Sequence, residues 1–118
     1  MLSHVDNFLL SHVTAVNDGA YGLFPVFCTN GVVEYCTASG HDDTGIYVGQ
    51  SDNVAMQYNV AYGNVNGLEV ENCRNVVVFK NHSYDNTAGL LVILFPGLTI
   101  KTASGVLVTR SEERRVGK

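Results

Sequence analysis

Gly40-His41-Asp42-Asp43-Thr44-Gly45 is the densest grouping of reactive side chains in this 118-residue chain. Adjacent carboxylates beside an imidazole suit Ca²⁺, a hard cation that takes oxygen ligands, or an acid and a base working across a glycosidic bond. Glu69 and Glu71 form a second pair, which strand geometry would set about 7 Å apart on one outward face, a spacing that also suits a two-carboxylate or cation site. Phe24 with Tyr47, and Tyr35 with Tyr58, are the aromatic groupings; aromatic rings offer apolar stacking to sugars as readily as to one another. The plainer roles are a polar turn for the first grouping and a solvated strand face for the second.

These residues are positioned by a repeat. Gly22, Gly45, Gly67 and Gly89 stand 23, 22 and 22 residues apart, each followed by Leu or Ile. The same offsets run through Asn7, Asn30, Asn53 and Asn75, through Leu10, Val33, Met56, Val78 and Ile100, through Val13, Cys36, Asn59, Asn81 and Ala103, and through Ala15, Ala38, Ala61 and Ser83. Four or five columns in one register mean one structural unit stacked on copies of itself. Phe24 and Tyr47 fall in one outward column, Tyr35 and Tyr58 in another.

Within a unit the apolar residues alternate, Leu68 and Val70 on one face and Glu69 and Glu71 on the other, which is strand periodicity. Asn, Gly, Ser and Asp between the short runs mark turns, and no stretch keeps helical spacing. A unit of this size cannot bury its own apolar face; parallel stacking at roughly 4.8 Å per coil does so. The expected fold is all-β, a right-handed parallel β-helix of about four to four and a half coils. A leucine-rich repeat has an overlapping period but needs a denser Leu pattern and an outer helical segment; neither is present.

Stacking predicts that Leu23, Ile46, Leu68 and Leu90 point inward beside Val48, Val70 and Val92, and that Asn59 and Asn81 form an inward amide ladder. Cys28, Ser51 and Cys73 share a small-residue column, while Cys36 takes the Asn position. Cys28 and Cys73 lie two coils apart, about 9–10 Å, too far for a disulfide, so three buried thiols are expected. His4, His12, His41 and His82 fall in different columns and read as surface residues. No zinc spacing, phosphate loop or hydrolase elbow occurs. No cofactor is required by these groupings, Ca²⁺ being the one ion the acidic residues suit.

The string 110–118 breaks the repeat and holds four of the seven basic residues. A codon reading of it resembles a sequencing-library adapter, so it is read as a non-native or disordered tail and the repeat as residues 1–109. Residues 1–109 carry three basic and nine acidic side chains, a net charge of −6. An acidic body disfavours nucleic acid and leaves neutral glycans, cations or proteins as partners. No segment reaches the ~18 apolar residues that span a bilayer. No signal peptide or capping element is evident, so the chain reads as a piece of a longer solenoid whose remaining coils would pack on it. Leu91, Ile93 and Leu94 give its last unit an apolar outer face that a loop beyond this piece would cover.

Asp18-Gly19-Ala20-Tyr21-Gly22-Leu23-Phe24-Pro25-Val26 and Asp43-Thr44-Gly45-Ile46-Tyr47-Val48-Gly49-Gln50-Ser51 resemble uncharacterised bacterial parallel β-helix repeat proteins of the pectin-lyase-fold superfamily. So do Gly67-Leu68-Glu69-Val70-Glu71-Asn72 and Leu94-Phe95-Pro96-Gly97-Leu98. The resemblance covers about residues 5–100 and implies the fold and an exported, periplasmic or cell-surface location. That superfamily includes polysaccharide lyases, polygalacturonases and alginate epimerases, and fold does not choose among them. Polygalacturonases use paired Asp residues, but their second Asp motif, His-bearing Gly motif and basic clamp are not found here. The sequence therefore points to a module binding an extended glycan on its outer strand face. The alternatives are a polysaccharide lyase, hydrolase or epimerase using His41, Asp42, Asp43, Glu69 or Glu71, and a purely structural repeat segment.

Overall fold

The computed structural model describes residues 1–17, 19–98, 100, 102–109 and 112–115. All regular structure among them is β, in three parallel sheets wound as a solenoid of about four turns. Strands are numbered along the chain. The first sheet holds β1 (Leu2–Ser3), β4 (Tyr21–Leu23), β5 (Pro25–Val26), β8 (Thr44–Gly49), β11 (Asn66–Glu71) and β14 (Ala88–Ile93). The second holds β2 (Asp6–Ser11), β6 (Thr29–Glu34), β9 (Asp52–Gln57), β12 (Arg74–Phe79) and β15 (Ser104–Thr109). The third holds β3 (Thr14–Val16), β7 (Thr37–Ser39), β10 (Val60–Tyr62), β13 (His82–Asn86) and β16 (Glu112–Arg115).

The register is the one the repeat demands. Leu68 pairs with Ile46 below and Leu90 above, and Ala61 with Ala38 and Ser83. Ile46, Val48, Met56, Leu68, Val70 and Val78 fill an apolar interior, each fully buried side chain contributing about 1.5–3 kcal/mol. Cys28, Cys36 and Cys73 are buried free thiols within it. The chain bends through columns of left-handed residues, among them Asn7, Asn30, Asn53 and Asn75 (φ 55–62°) and His12, Tyr35, Tyr58 and Lys80 (φ 51–58°). Asn tolerates that region readily. For Tyr it costs about 1–2 kcal/mol, and the stacking of these rings along the axis offsets that cost.

Two columns depart from expectation at the end of the repeat. Val108, and not Ile100, lies over Val78, because β14 ends at Ile93 and β15 begins only at Ser104, a spacing that also removes Ala103 from the Asn81 column. Asn72 Nδ2 donates to the carbonyls of Phe95 (2.8 Å) and Ile100 (2.6 Å), and the Ile100 N–H donates to Gln50 Oε1 at 3.0 Å. Leu90 is only half-buried and Val92 is 45% exposed, since β14 is the edge strand of the first sheet among the described residues. Leu91 and Ile93 are half-buried while Leu94 and Phe95 are exposed. Residues 112–115 pair in parallel with β13; residues 110, 111 and 116–118 of the expected tail lie outside the described residues. No helix among the described residues is long and apolar enough to cross a membrane.

Candidate functional site

Two regions bring polar or aromatic side chains together outside the core. The first is the outer face of the first sheet. Alternation turns Glu69 and Glu71 outward from β11, opposite Tyr47 and Gly49 of β8. They were expected on a solvated face, yet they are only 5% and 8% exposed. Tyr21, Phe24 and Tyr47 cover them. Tyr21 stacks on Phe24 at 4.5 Å, and Phe24 meets Tyr47 edge-on at 4.6 Å.

Beneath these rings the polar atoms are paired. Thr44 Oγ1 donates to Glu69 Oε1 at 2.6 Å and lies 3.0 Å from Asp43 Oδ1. Tyr47 Oη donates to Glu71 Oε1, and Tyr21 Oη to Asp43 Oδ2 at 3.3 Å. Asn66 Nδ2 donates to Asp43 Oδ1 at 3.3 Å. The Glu69 carboxyl lies beside that of Glu71 on the same face of β11. Burial, opposed by the Thr44 hydrogen bond and reinforced by Glu71 and Asp43, pushes Glu69 up to about 7. Burial and the Asp43 carboxylate push Tyr21 up to about 12, and burial with the Glu71 hydrogen bond raises Tyr47.

Asp43, Glu69 and Glu71 thus converge, whereas His41 and Asp42 do not join them. In the 40–45 turn the N–H groups of Asp42 and Asp43 bond the carbonyls of Gly19 and Ala20, and Asp42 is exposed. His41, expected at the surface, is 2% exposed. Its backbone N–H bonds Asn64 Oδ1 at 3.0 Å and its Nδ1 lies 2.9 Å from the same oxygen. Asn64 repeats the arrangement with Asn86 at 2.9 and 3.2 Å. This second amide ladder parallels the expected one, in which Cys36, Asn59 and Asn81 are linked at 2.9–3.0 Å. The spacing of 41, 64 and 86 could have revealed it. Among the described residues no group of three or more His, Cys, Asp or Glu is placed to hold a metal ion.

The second region is the outer face of the second sheet. Leu9, Val32, Ala55, Val77 and Leu107 align in register as an aliphatic stripe along the axis. Leu9, Val77 and Leu107 are 62%, 38% and 57% exposed. Ala55, the smallest, makes a dip between Val32 and Val77, part of a shallow trough of about 260 Å³. Asn30, Asn53 and Asn75 form one rim. Asn53 Nδ2 donates to Asn30 Oδ1 at 2.7 Å, Asn30 to Asp6 at 2.9 Å and Asn75 to Asp52 at 3.0 Å. Thr29 and Asn30 hold Asp6 below the usual carboxylate value through these hydrogen bonds. On the other side Gln57 Nε2 donates to Glu34 Oε1 at 3.0 Å.

Beyond that rim Tyr35 and Tyr58 stack at 5.1 Å with an interplanar angle of 8°, and His12 stacks on Tyr35 at 5.2 Å. Their faces are therefore occupied by one another, and what they offer outward is edges and hydroxyls. Tyr47, 5% exposed, offers no face either.

A family model described as a right handed beta helix region matches residues 1–111. Comparison with curated proteins and with solved structures found no match. The three in-register parallel sheets and this match together show that the chain belongs to the right-handed β-helix family.

Proposed function

We propose that this solenoid binds an extended, uncharged glycan along the outer face of its second sheet, as a module of an exported protein. The supporting observation is the exposed stripe Leu9–Val32–Ala55–Val77–Leu107 flanked by the amide row Asn30–Asn53–Asn75. A sugar chain is amphipathic in the same way: C–H faces seek apolar surface and hydroxyls seek amides, each of which has two donors and an acceptor. Repetition once per coil matches a polymeric ligand better than a compact one. Asp6, Glu34 and Asp52 along the rims favour a neutral chain over a uronate polymer. Export rests on the resemblance to pectin-lyase-fold proteins.

Affinity electrophoresis against neutral and acidic polysaccharides tests this. Retardation by a neutral polymer, reduced at least tenfold by Ala55→Arg with an unchanged melt, is expected; no retardation by any polysaccharide overturns the reading.

Catalysis is the second reading, favoured by the meeting of Asp43, Glu69 and Glu71, where one acid holds its proton near neutrality beside others. Their cover by Tyr21, Phe24 and Tyr47 counts against substrate access. Release of oligosaccharides from a uronate polymer, lost on Glu69→Gln, would establish it.

A further inference from the structure

The Glu69–Glu71 pair is buried, acts across three strands and has no role in the second-sheet face. On its own strand the two carboxyl groups lie side by side. From β8 it faces Thr44 and Tyr47, from the turn before β8 Asp43, and from β4 Tyr21. From β14 the neighbours in register are Leu91 and Ile93, which do not titrate. No cation is among the groups acting on Glu69. Besides Glu71, the charged group acting on Glu69 is Asp43, also an acid, and a proton on Glu69 lowers the cost of burying like charges together.

The cover is also where the first sheet is least continuous. Tyr21 and Leu23 pair with Thr44 and Ile46, the ladder then breaks at Phe24, and pairing resumes only at Val26 with Gly49. Pro25 supplies no N–H there. Side-chain contacts supplement this interrupted ladder: Tyr21 bonds Asp43, and Phe24 rests on Tyr47, which bonds Glu71.

We propose that Glu69, buried between Thr44 and Glu71, is a proton-held latch: while its carboxyl keeps its proton the Tyr21–Phe24 segment is clamped onto the first sheet, and loss of that proton to solvent releases it. With Glu69 charged beside Glu71 and Asp43, repulsion is relieved by admitting water, which requires the Tyr21, Phe24 and Tyr47 rings to part. The rest of the solenoid, held by the stacked ladders of the second and third sheets, stays folded. This does not depend on the glycan reading.

Near-UV circular dichroism, which reports tyrosine packing, is followed from pH 5 to 9 alongside the far-UV signal. The expected result is a near-UV change centred near pH 7 at constant far-UV signal, abolished in Glu69→Gln, whose neutral amide keeps the closed form. A flat near-UV signal in the parent, or an unshifted transition in Glu69→Gln, overturns the latch. Should Glu69→Gln not fold, ¹³C-glutamate NMR of the parent decides. A glutamate carboxyl titrating near neutrality together with tyrosine ring shifts supports the latch, and carboxyl titrations confined below pH 5.5 overturn it.

Discussion

A Cβ placed on Gly45 would stand 2.6 Å from Asn64 Nδ2. That amide is not free to retreat, because it donates to the Ala38 carbonyl at 3.1 Å and to Asn86 Oδ1 at 3.2 Å. Gly67 stands in the same relation to Asn86 Nδ2 at 2.8 Å, and Gly22 to His41 Cε1 at 2.7 Å. The glycine column exists because the second ladder packs directly against its backbone, and none of these three glycines has a positive φ. Gly45→Ala is therefore expected to destabilise by about 1–3 kcal/mol, the usual cost of overpacking. Urea unfolding measures it; a midpoint equal to the parent's would show that the ladder is loose.

Asn81→Leu should be costly although leucine is the more apolar residue. Asn81 Oδ1 accepts both the backbone N–H and the Nδ2 of Asn59, at 3.0 and 2.9 Å. Removing it leaves two buried donors unsatisfied, each costing about 1–3 kcal/mol. Thermal melts of the variant falling clearly below the parent are expected, and coincident melts would contradict the ladder.

The Glu69 carboxyl binds its proton up to about pH 7 in the folded chain, against 4.5 for the ordinary group. Between those values the folded state holds more protons than the unfolded, so this group's stabilising contribution is full below about 4.5 and is lost as pH rises through 7. The expected loss is on the order of 2 kcal/mol. Urea midpoints across this range should fall in the parent and fall less in Glu69→Gln. Equal slopes in the two proteins would remove the carboxyl from the account of stability.

The solenoid was legible because stacking imposes an arithmetic on the sequence. Columns 22 or 23 apart gave the Ile46–Leu68 register and the Cys36–Asn59–Asn81 ladder directly. His41–Asn64–Asn86 obeys the same arithmetic and was hidden only by its change of residue type, since an imidazole nitrogen stands where an amide would. The burial of Glu69 and Glu71 was not legible: alternation says which face a side chain takes, and not what folds over that face. Nor was the loss of register after Ile93, because Ile100 is an acceptable member of the apolar column it appears to continue. Tyr21, central to the cover of the carboxylates, sits beside the glycine that announces the repeat and drew no separate reading.

Everything at both sites depends on successive coils lying in register. Val32→Cys with Ala55→Cys places two thiols on adjacent coils in the second sheet, within the 4.4–6.8 Å Cα range of a disulfide. Val32→Cys with Val77→Cys places them two coils apart, about 9–10 Å. Mild oxidation of the folded protein, followed by mass spectrometry of digests, should show rapid crosslinking of 32 to 55 and none of 32 to 77. Crosslinking of 32 to 77 as fast as 32 to 55, or of neither pair, would contradict in-register stacking.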